Sequence, residues 1–225
     1  MQLDIPKNLI IMLSGVPCVG KTTAAYNIVK RFPEFRRVSE LDIIRTVVRA
    51  VIHSLEDSFI DKNAIQKQYL ALFDSLSESN LDVAKEQSKL LIPYIKEIVV
   101  RQQMRKIPTV IEGSSIVPST YFINNIPIDG FKDHVLFINL YLSNEHVHIN
   151  RRMTRCYERE YDDNMEQIID KVTHVREGKN FEIHKETLEL SMRANNVFSF
   201  DVTNMTPDDI VSMIIIITQK YLKNT

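Results

Sequence analysis

The chain alternates short, uniformly apolar runs with longer amphipathic stretches. Residues 9–14 (LIIMLS) are the first apolar run, bounded by Gly15 and Pro17. A run without polar alternation predicts a strand buried on both faces, as in a parallel sheet. Residues 20–31 (GKTTAAYNIVKR) read as a helix stopped before Pro33, and 36–39 as a short second strand. Over 42–54 (DIIRTVVRAVIHS) helical spacing places Ile43, Val47, Ala50 and Val51 on one face. Residues 63–77 and 80–106 carry two further helical patterns, the second kinked or divided at Pro93. Residues 107–112 (IPTVIE) and 135–142 (VLFINLYL) are two more buried-strand patterns. Residues 144–160 (NEHVHINRRMTRCYERE) form a helix loaded with cations, and 163–195 are mostly helical, weakened near Gly178. After a short strand at 197–201 (VFSFD), the last helix opens with TPDD and runs to about Leu222. Thr206 is placed as N-cap, Pro207 at the first helical position and Asp209 at the third, close to a capping box.

Strand and helix repeat in turn, which predicts an α/β fold with a mostly parallel sheet flanked by helices. The extra helices form an insertion over about 56–106, and the cationic helix a lid over about 144–165, within one domain spanning 1–225. Composition narrows the class without naming it. Apolar residues make up 44% and charged residues 25% of the 225, which is ordinary globular usage. Such a chain buries a core without disulfides. Cys18 and Cys156 are the two cysteines, too few for a disulfide scaffold or a structural zinc cluster, and read as free thiols in a reducing compartment. The most apolar stretch, 210–218, falls far short of the roughly 20 residues that span a bilayer. The N-terminus lacks the basic start and apolar core of a signal peptide. The expectation is therefore a cytoplasmic protein with no membrane partner. With 28 Lys and Arg against 29 Asp and Glu, the net charge is −1, which excludes a globally basic nucleic-acid binder.

Residues 15–22 read Gly15-Val16-Pro17-Cys18-Val19-Gly20-Lys21-Thr22, the pattern G-x-x-x-x-G-K-[ST]. Glycines let the backbone curl so that its N–H groups point inward at phosphate oxygens. The helix beginning near Gly20 adds its positive end. Lys21 supplies a mobile charge for β- and γ-phosphates, the Thr22 hydroxyl is a Mg²⁺ ligand, and Thr23 reaches the α-phosphate. The motif follows a buried strand and opens a helix, which is the context it requires.

A phosphate loop does not name a reaction. No N-K-x-D guanine signature occurs. A kinase needs a base or orienting carboxylate, cations for its acceptor, and a cationic lid that excludes water. Asp42, directly after the second strand, suits the first role, or else a helix N-terminal charge. Arg45 and Arg49, spaced i, i+4 and sharing a face with Asp42, form an anion-binding patch or a solvated one. Glu112 closes the IPTVIE strand, where open α/β sheets bind ligands. Ser114 and Ser115 after it either donate to substrate or begin a turn. Arg151, Arg155 and Arg159 make one stripe, with Arg152 beside it, fit to clamp phosphates, and His148 stands one turn ahead, able to position that stripe. His134, His146, His174 and His184 lie at no metal-ligand spacing.

Taken in order, GVPCVGKTT, DIIRTVVRA, EQSKLLIP, TVIEGSSIVP and HINRRMTR resemble the 2-phosphoglycerate kinases, from about residue 9 to residue 204. That family's D-x-(I/V)-R-x-x-x-R helix is matched by Asp42, Arg45 and Arg49, and its Glu-Gln pair by Glu86 and Gln87. Its I-I-E-G-x-H-x-x-P segment is matched by Ile111, Glu112, Gly113 and Pro118, and its H-x-x-R-x-x-x-R helix by His148, Arg151 and Arg155. The family histidine falls at Ser115 here. The resemblance implies a nucleoside-monophosphate-kinase-like P-loop fold and a kinase using ATP and Mg²⁺. In this reading Gly15 to Thr23 hold the triphosphate and Thr22 the metal. Lys21, Asp42, Arg151 and Arg155 carry catalysis, and Asp42, Arg45, Arg49, Glu112, Ser114 and Ser115 meet a small anionic hydroxyl acceptor. The adenine is placed near Val202 to Thr206, and 2-phosphoglycerate is the first candidate acceptor. The alternatives are a P-loop kinase of nucleotides, sugar nucleotides or nucleic-acid ends, resembling the zeta-toxin-like and polynucleotide-kinase-like groups, and a nucleotide-binding regulator. The apolar helix faces in 63–106 leave internal packing and a homodimer both open.

Overall fold

A computed structural model of the chain describes residues 5–56, 80–158, 165–167, 169 and 180–224. The expected helix at 63–77, most of the pattern at 163–179, and Arg159 at the far end of the cationic stripe lie outside the described residues. In chain order the elements are β1 (Ile10–Ser14), α1 (Lys21–Arg31), β2 (Arg37–Glu40), α2 (Leu41–Glu56), α3 (Leu81–Met104) and β3 (Thr109–Glu112). A 3₁₀ turn (Pro118–Tyr121) and a small hairpin of β4 (Phe122–Ile123) and β5 (Ile126–Pro127) follow. The chain ends with β6 (Val135–Tyr141), α4 (Glu145–Glu158), α5 (Phe181–Ser191), β7 (Val197–Asp201) and α6 (Pro207–Lys223).

Five strands form one sheet in the order β2-β3-β1-β6-β7, and every neighbouring pair is parallel. β1 is central and wholly buried, which is why its sequence is apolar at successive positions. Ile11 and Leu13 point to one face, against Ala24, Ala25 and Ile28 of α1 and Ile210, Val211 and Ile214 of α6. Ile10 and Met12 point to the other, against Leu41, Val48 and Ile52 of α2 and Leu91, Ile95 and Val99 of α3. Each such side chain removed from water contributes roughly 1.5–3 kcal/mol. This is the expected α/β P-loop class, in the nucleoside-monophosphate-kinase-like form: helices on both faces, and the phosphate-loop strand with two parallel strands on either side.

The helix caps follow local chemistry. Thr206 and Asp209 complete a capping box, Thr206 Oγ1 accepting from the Asp209 N–H at 3.2 Å and Asp209 Oδ2 from the Thr206 N–H at 3.0 Å. Asn80 caps α3 by accepting from the N–H groups of Asp82 and Val83.

Three features were left open by the sequence pattern or not shown by it. First, α3 runs undivided through Pro93. A proline inside a helix costs about 3 kcal/mol, but Leu91, Ile95 and Val99 on either side of it are fully buried and hold the helix to the sheet. Second, the face of α2 carrying Ile43, Val47, Ala50 and Val51 is exposed, and Leu41, Val48 and Ile52 fill the core instead. The apolar arc of α2, opposite Asp42, Arg45 and Arg49, is broad, so periodicity does not choose which part of it is buried. Leu41 chooses, because it is the residue packed over β3. Third, the 3₁₀ turn and hairpin were not anticipated. Asn124 and Asn125 take φ of +51° and +64° between Ile123 and Ile126, as a tight two-residue hairpin turn requires. Among the described residues no helix is long and apolar enough to cross a membrane.

Candidate phosphate-binding and acceptor site

β1 delivers Gly15 at its C-terminal end, in the crevice between strands whose connections leave in opposite directions. Gly15 has φ +135°, and a Cβ there would sit 2.4 Å from the Leu140 carbonyl oxygen, so no other residue fits. Gly20, at φ +98°, turns the chain into α1. Cys18 takes φ +67° at the crest, a conformation that costs a non-glycine residue about 1–2 kcal/mol. Lys21 is buried and donates from Nζ to the Val16 carbonyl at 2.9 Å, so its charge lies inside the loop.

The sheet register brings Glu112 to this loop. β3 pairs with β1 so that Glu112 stands opposite Leu13, two residues before Gly15. Its Oε1 accepts from Thr22 Oγ1 at 2.9 Å. Burial pushes the Glu112 carboxyl above its usual range, and the Lys21 charge and the Thr22 bond oppose that. Burial likewise lowers the Lys21 ammonium, opposed by Glu112 and Asp42. Glu112 was expected among the acceptor residues; the structure sets it against the metal-ligand candidate Thr22.

α4 closes the other side. His148 is buried and donates from Nε2 to the Pro17 carbonyl at 2.8 Å, gripping the crest of the loop. Arg151 donates from Nη2 to the carbonyls of Val202 (3.1 Å) and Met205 (3.5 Å), in the segment after β7 where adenine was expected. That segment is fixed by Asp201, whose carboxylate accepts from Ser143 and Thr203. Arg155 Nη1 lies 3.9 Å from Cys18 Sγ. Together with Cys18, Arg151 and Arg155, residues Gly20 to Thr23 line a polar cavity of about 240 Å³. A larger cavity, about 820 Å³, lies between α3, the hairpin and α5 and shares none of these residues. The smaller one is the cavity lined by the phosphate-loop motif.

Three of the residues expected to meet an acceptor, Asp42, Arg45 and Arg49, lie on α2. Asp42 is 57% exposed, 3.6 Å from Arg45 Nη2. Arg45 Nη1 donates to Gln87 Oε1 at 3.3 Å, and Ser115 Oγ donates to the same oxygen at 2.6 Å. Burial and the neighbouring Arg45 charge push Arg49 below the usual guanidinium range. Ser114 is half-buried. Ser115 is buried against Gln87 and does not face the crevice as a substrate donor would. Sequence reasoning missed the Thr22–Glu112 pair, the His148 bond to Pro17 and the part played by Gln87, because each joins residues 28 to 131 positions apart.

The donor set suits Mg·ATP. A curled loop with an ammonium inside it, a hydroxyl backed by a carboxylate, and two guanidinium groups opposite are what a triphosphate and a hard cation require. No protein-family model matches the chain and no curated protein does, so the resemblance to the 2-phosphoglycerate kinases rests on the motifs quoted for it. Solved structures do match over nearly the whole chain. An uncharacterized protein from Eubacterium ventriosum is 11% identical with a TM-score of 0.48, covering 97% of this chain and 99% of its own. A shikimate kinase from Acinetobacter baumannii, in complex with shikimate, is 15% identical with a TM-score of 0.45, covering 99% and 96%. One from Bacteroides thetaiotaomicron is 12% identical with a TM-score of 0.42, covering 96% and 98%. At such identities and TM-scores the likeness assigns this chain neither activity nor substrate.

Proposed function

We propose that the chain is an ATP- and Mg²⁺-dependent phosphotransferase acting on a small anionic hydroxyl compound, with 2-phosphoglycerate as the first candidate. The observation that carries this reading is the convergence at one crevice of Lys21, the Thr22–Glu112 pair and Arg155. Mg·ATP, when bound, supplies the phosphoryl group and a divalent charge. The backbone of Gly15 to Thr23 and the Lys21 ammonium hold the phosphate oxygens. Thr22 is the metal ligand, and Glu112 orients its hydroxyl. Arg155 and Arg151 face the loop from α4, where positive charge stabilises the spread negative charge of the transferring group. Asp42 orients or deprotonates the acceptor hydroxyl, while Arg45 and Arg49 hold the acceptor's own anionic group.

The test is ADP release with Mg·ATP and a panel of hydroxy acids, phosphorylated acids, nucleosides and 5′-hydroxyl oligonucleotides, against an acceptor-free blank. Release that depends on 2-phosphoglycerate and disappears in Asp42→Asn supports the reading to its substrate. Release driven by another acceptor keeps the phosphotransferase and moves the substrate. Lys21→Ala should lose about 3–4 kcal/mol of transition-state stabilisation, and unaltered turnover in it would overturn the reading. Tight ATP binding with release equal to the blank throughout favours a nucleotide-binding regulator.

A further inference from the structure

We propose that Gln87 and Ser115 form a buried positioning pair that fixes Arg45 as the anion anchor of the acceptor site, selecting acceptors that carry a carboxylate or phosphate beside the reacting hydroxyl. This rests on the phosphotransferase reading and names how that site chooses.

Gln87 on α3 and Ser115 after β3 are each 1% exposed, so neither meets an acceptor directly. Gln87 Oε1 accepts from Ser115 Oγ at 2.6 Å and from Arg45 Nη1 at 3.3 Å. An amide oxygen has two lone pairs, and both are used. The hydroxyl thus sets the direction of the amide, and the amide sets the guanidinium. A neutral partner also leaves the Arg45 charge uncancelled, where a buried carboxylate would neutralise it. The carboxylate that does approach, Asp42, is exposed and 3.6 Å away, a weak pairing in water. The Nε–H of Arg45 is buried with no hydrogen-bond partner among the described residues. A buried donor left unpaired is costly, so Arg45 is held through its Nη groups, and the 22% of its side chain that stays exposed is the part open to an anion. Arg49 adds a second cation one turn along α2. Two adjacent guanidinium groups, one of them locked by a neutral amide, suit a single carboxylate or phosphate.

The experiment uses inorganic sulfate as probe, followed at the Arg45 Nε–H signal by ¹⁵N NMR, in the wild type, Gln87→Met and Gln87→Glu. These side chains are nearly the same size. Methionine removes the acceptor oxygen, so the Arg45 signal should move and sulfate affinity should fall about tenfold, the loss of one hydrogen bond to a charged group. Glutamate keeps the oxygen but cancels the charge, so Arg45 should stay in place while sulfate still weakens. A packing role predicts the reverse preference, with Met tolerated and the buried carboxylate disruptive. ATP affinity should hold within about twofold in all three. Should the Gln87 variants not fold, Ser115→Ala removes one hydroxyl, and the same signal should shift with a smaller loss of affinity. Wild-type position and affinity in Gln87→Met, or no sulfate response at Arg45 in the wild type, overturns the proposal. Sulfate binding as described with no acceptor turning over leaves the pair standing and removes the phosphotransferase reading. Acceptor-dependent turnover with an unchanged acceptor KM in Gln87→Met does the opposite.

Discussion

His148→Phe tests whether α4 grips the phosphate loop. The ring is nearly conserved in size and sits at a position only 2% exposed, so packing is largely kept. What is removed is the donor 2.8 Å from the Pro17 carbonyl. Leaving that acceptor without its partner costs about 1–3 kcal/mol. In a chain of this length 1 kcal/mol moves the melting temperature by roughly 2–4 °C, so the midpoint should fall by about 2–12 °C. Pro17 directly precedes Cys18, the left-handed residue at the crest, and freeing the crest should raise the Kd for Mg·ATP at least about fivefold, the equivalent of 1 kcal/mol. A pH arm adds an independent sign. Burial, with Arg152, Arg151 and Lys21 nearby, lowers the His148 pKa below its usual 6.5. Above pH 6.5 folded and unfolded chains are both neutral here and the group contributes no slope. Below it the unfolded chain takes up the proton first, so wild-type stability falls as the pH drops. His148→Phe should lose that part of the slope. Thermal melts at pH 5.5 and 7.5 and a Mg·ATP titration decide it. A variant matching the wild type in midpoint, pH slope and Kd would refute the grip.

Two further predictions follow from the same geometry. Glu112→Gln should remove the part of the pH dependence of ligand-free stability that this carboxyl supplies, while leaving the buried Lys21 with one counter-charge fewer. Burial raises the folded carboxyl, the charged form is the disfavoured one, and stability from this group rises as the pH falls. The same change should cut Mg²⁺-dependent turnover about 10²–10³-fold, the cost of one preorganised electrostatic group; melts with and without Mg·ATP beside a rate measurement show both effects. Gly113→Ala should destabilise by about 1–3 kcal/mol, because its Cβ would lie 2.5 Å from Leu41 Cβ and β3 must part from the start of α2. Denaturant unfolding gives the size, and a midpoint unchanged from the wild type would show that the two elements separate freely.

The coupling between α4 and the phosphate loop also bears on what moves. His148 and Arg151 tie α4 to the loop crest and to the segment after β7. Over its described length the cationic helix expected as a lid meets the loop crest and the segment after β7 through these two side chains.

Local patterns were legible in the sequence wherever physics acts over a few residues. The burial of β1 showed in five successive apolar or small positions, the phosphate loop in two glycines and a Lys-Thr pair, and the cap of α6 in TPDD. The Asn124-Asn125 turn is equally visible as two left-handed-tolerant residues between isoleucines. What needed the tertiary structure was every choice made between distant segments. Period alone left α2 with one broad apolar arc, and the packing of Leu41 against Gly113 decided which part of it was buried. Glu112 stood at a strand end in either reading, but only the parallel register with β1 showed that it reaches Thr22. Ser115 carried the type of a substrate donor, and only the approach of α3 showed that its hydroxyl is taken by Gln87. A sequence records which groups can hydrogen-bond; which of them meet is settled by how sheet and helices close around them, because a hydrogen bond depends on a few tenths of an ångström that no spacing along the chain specifies.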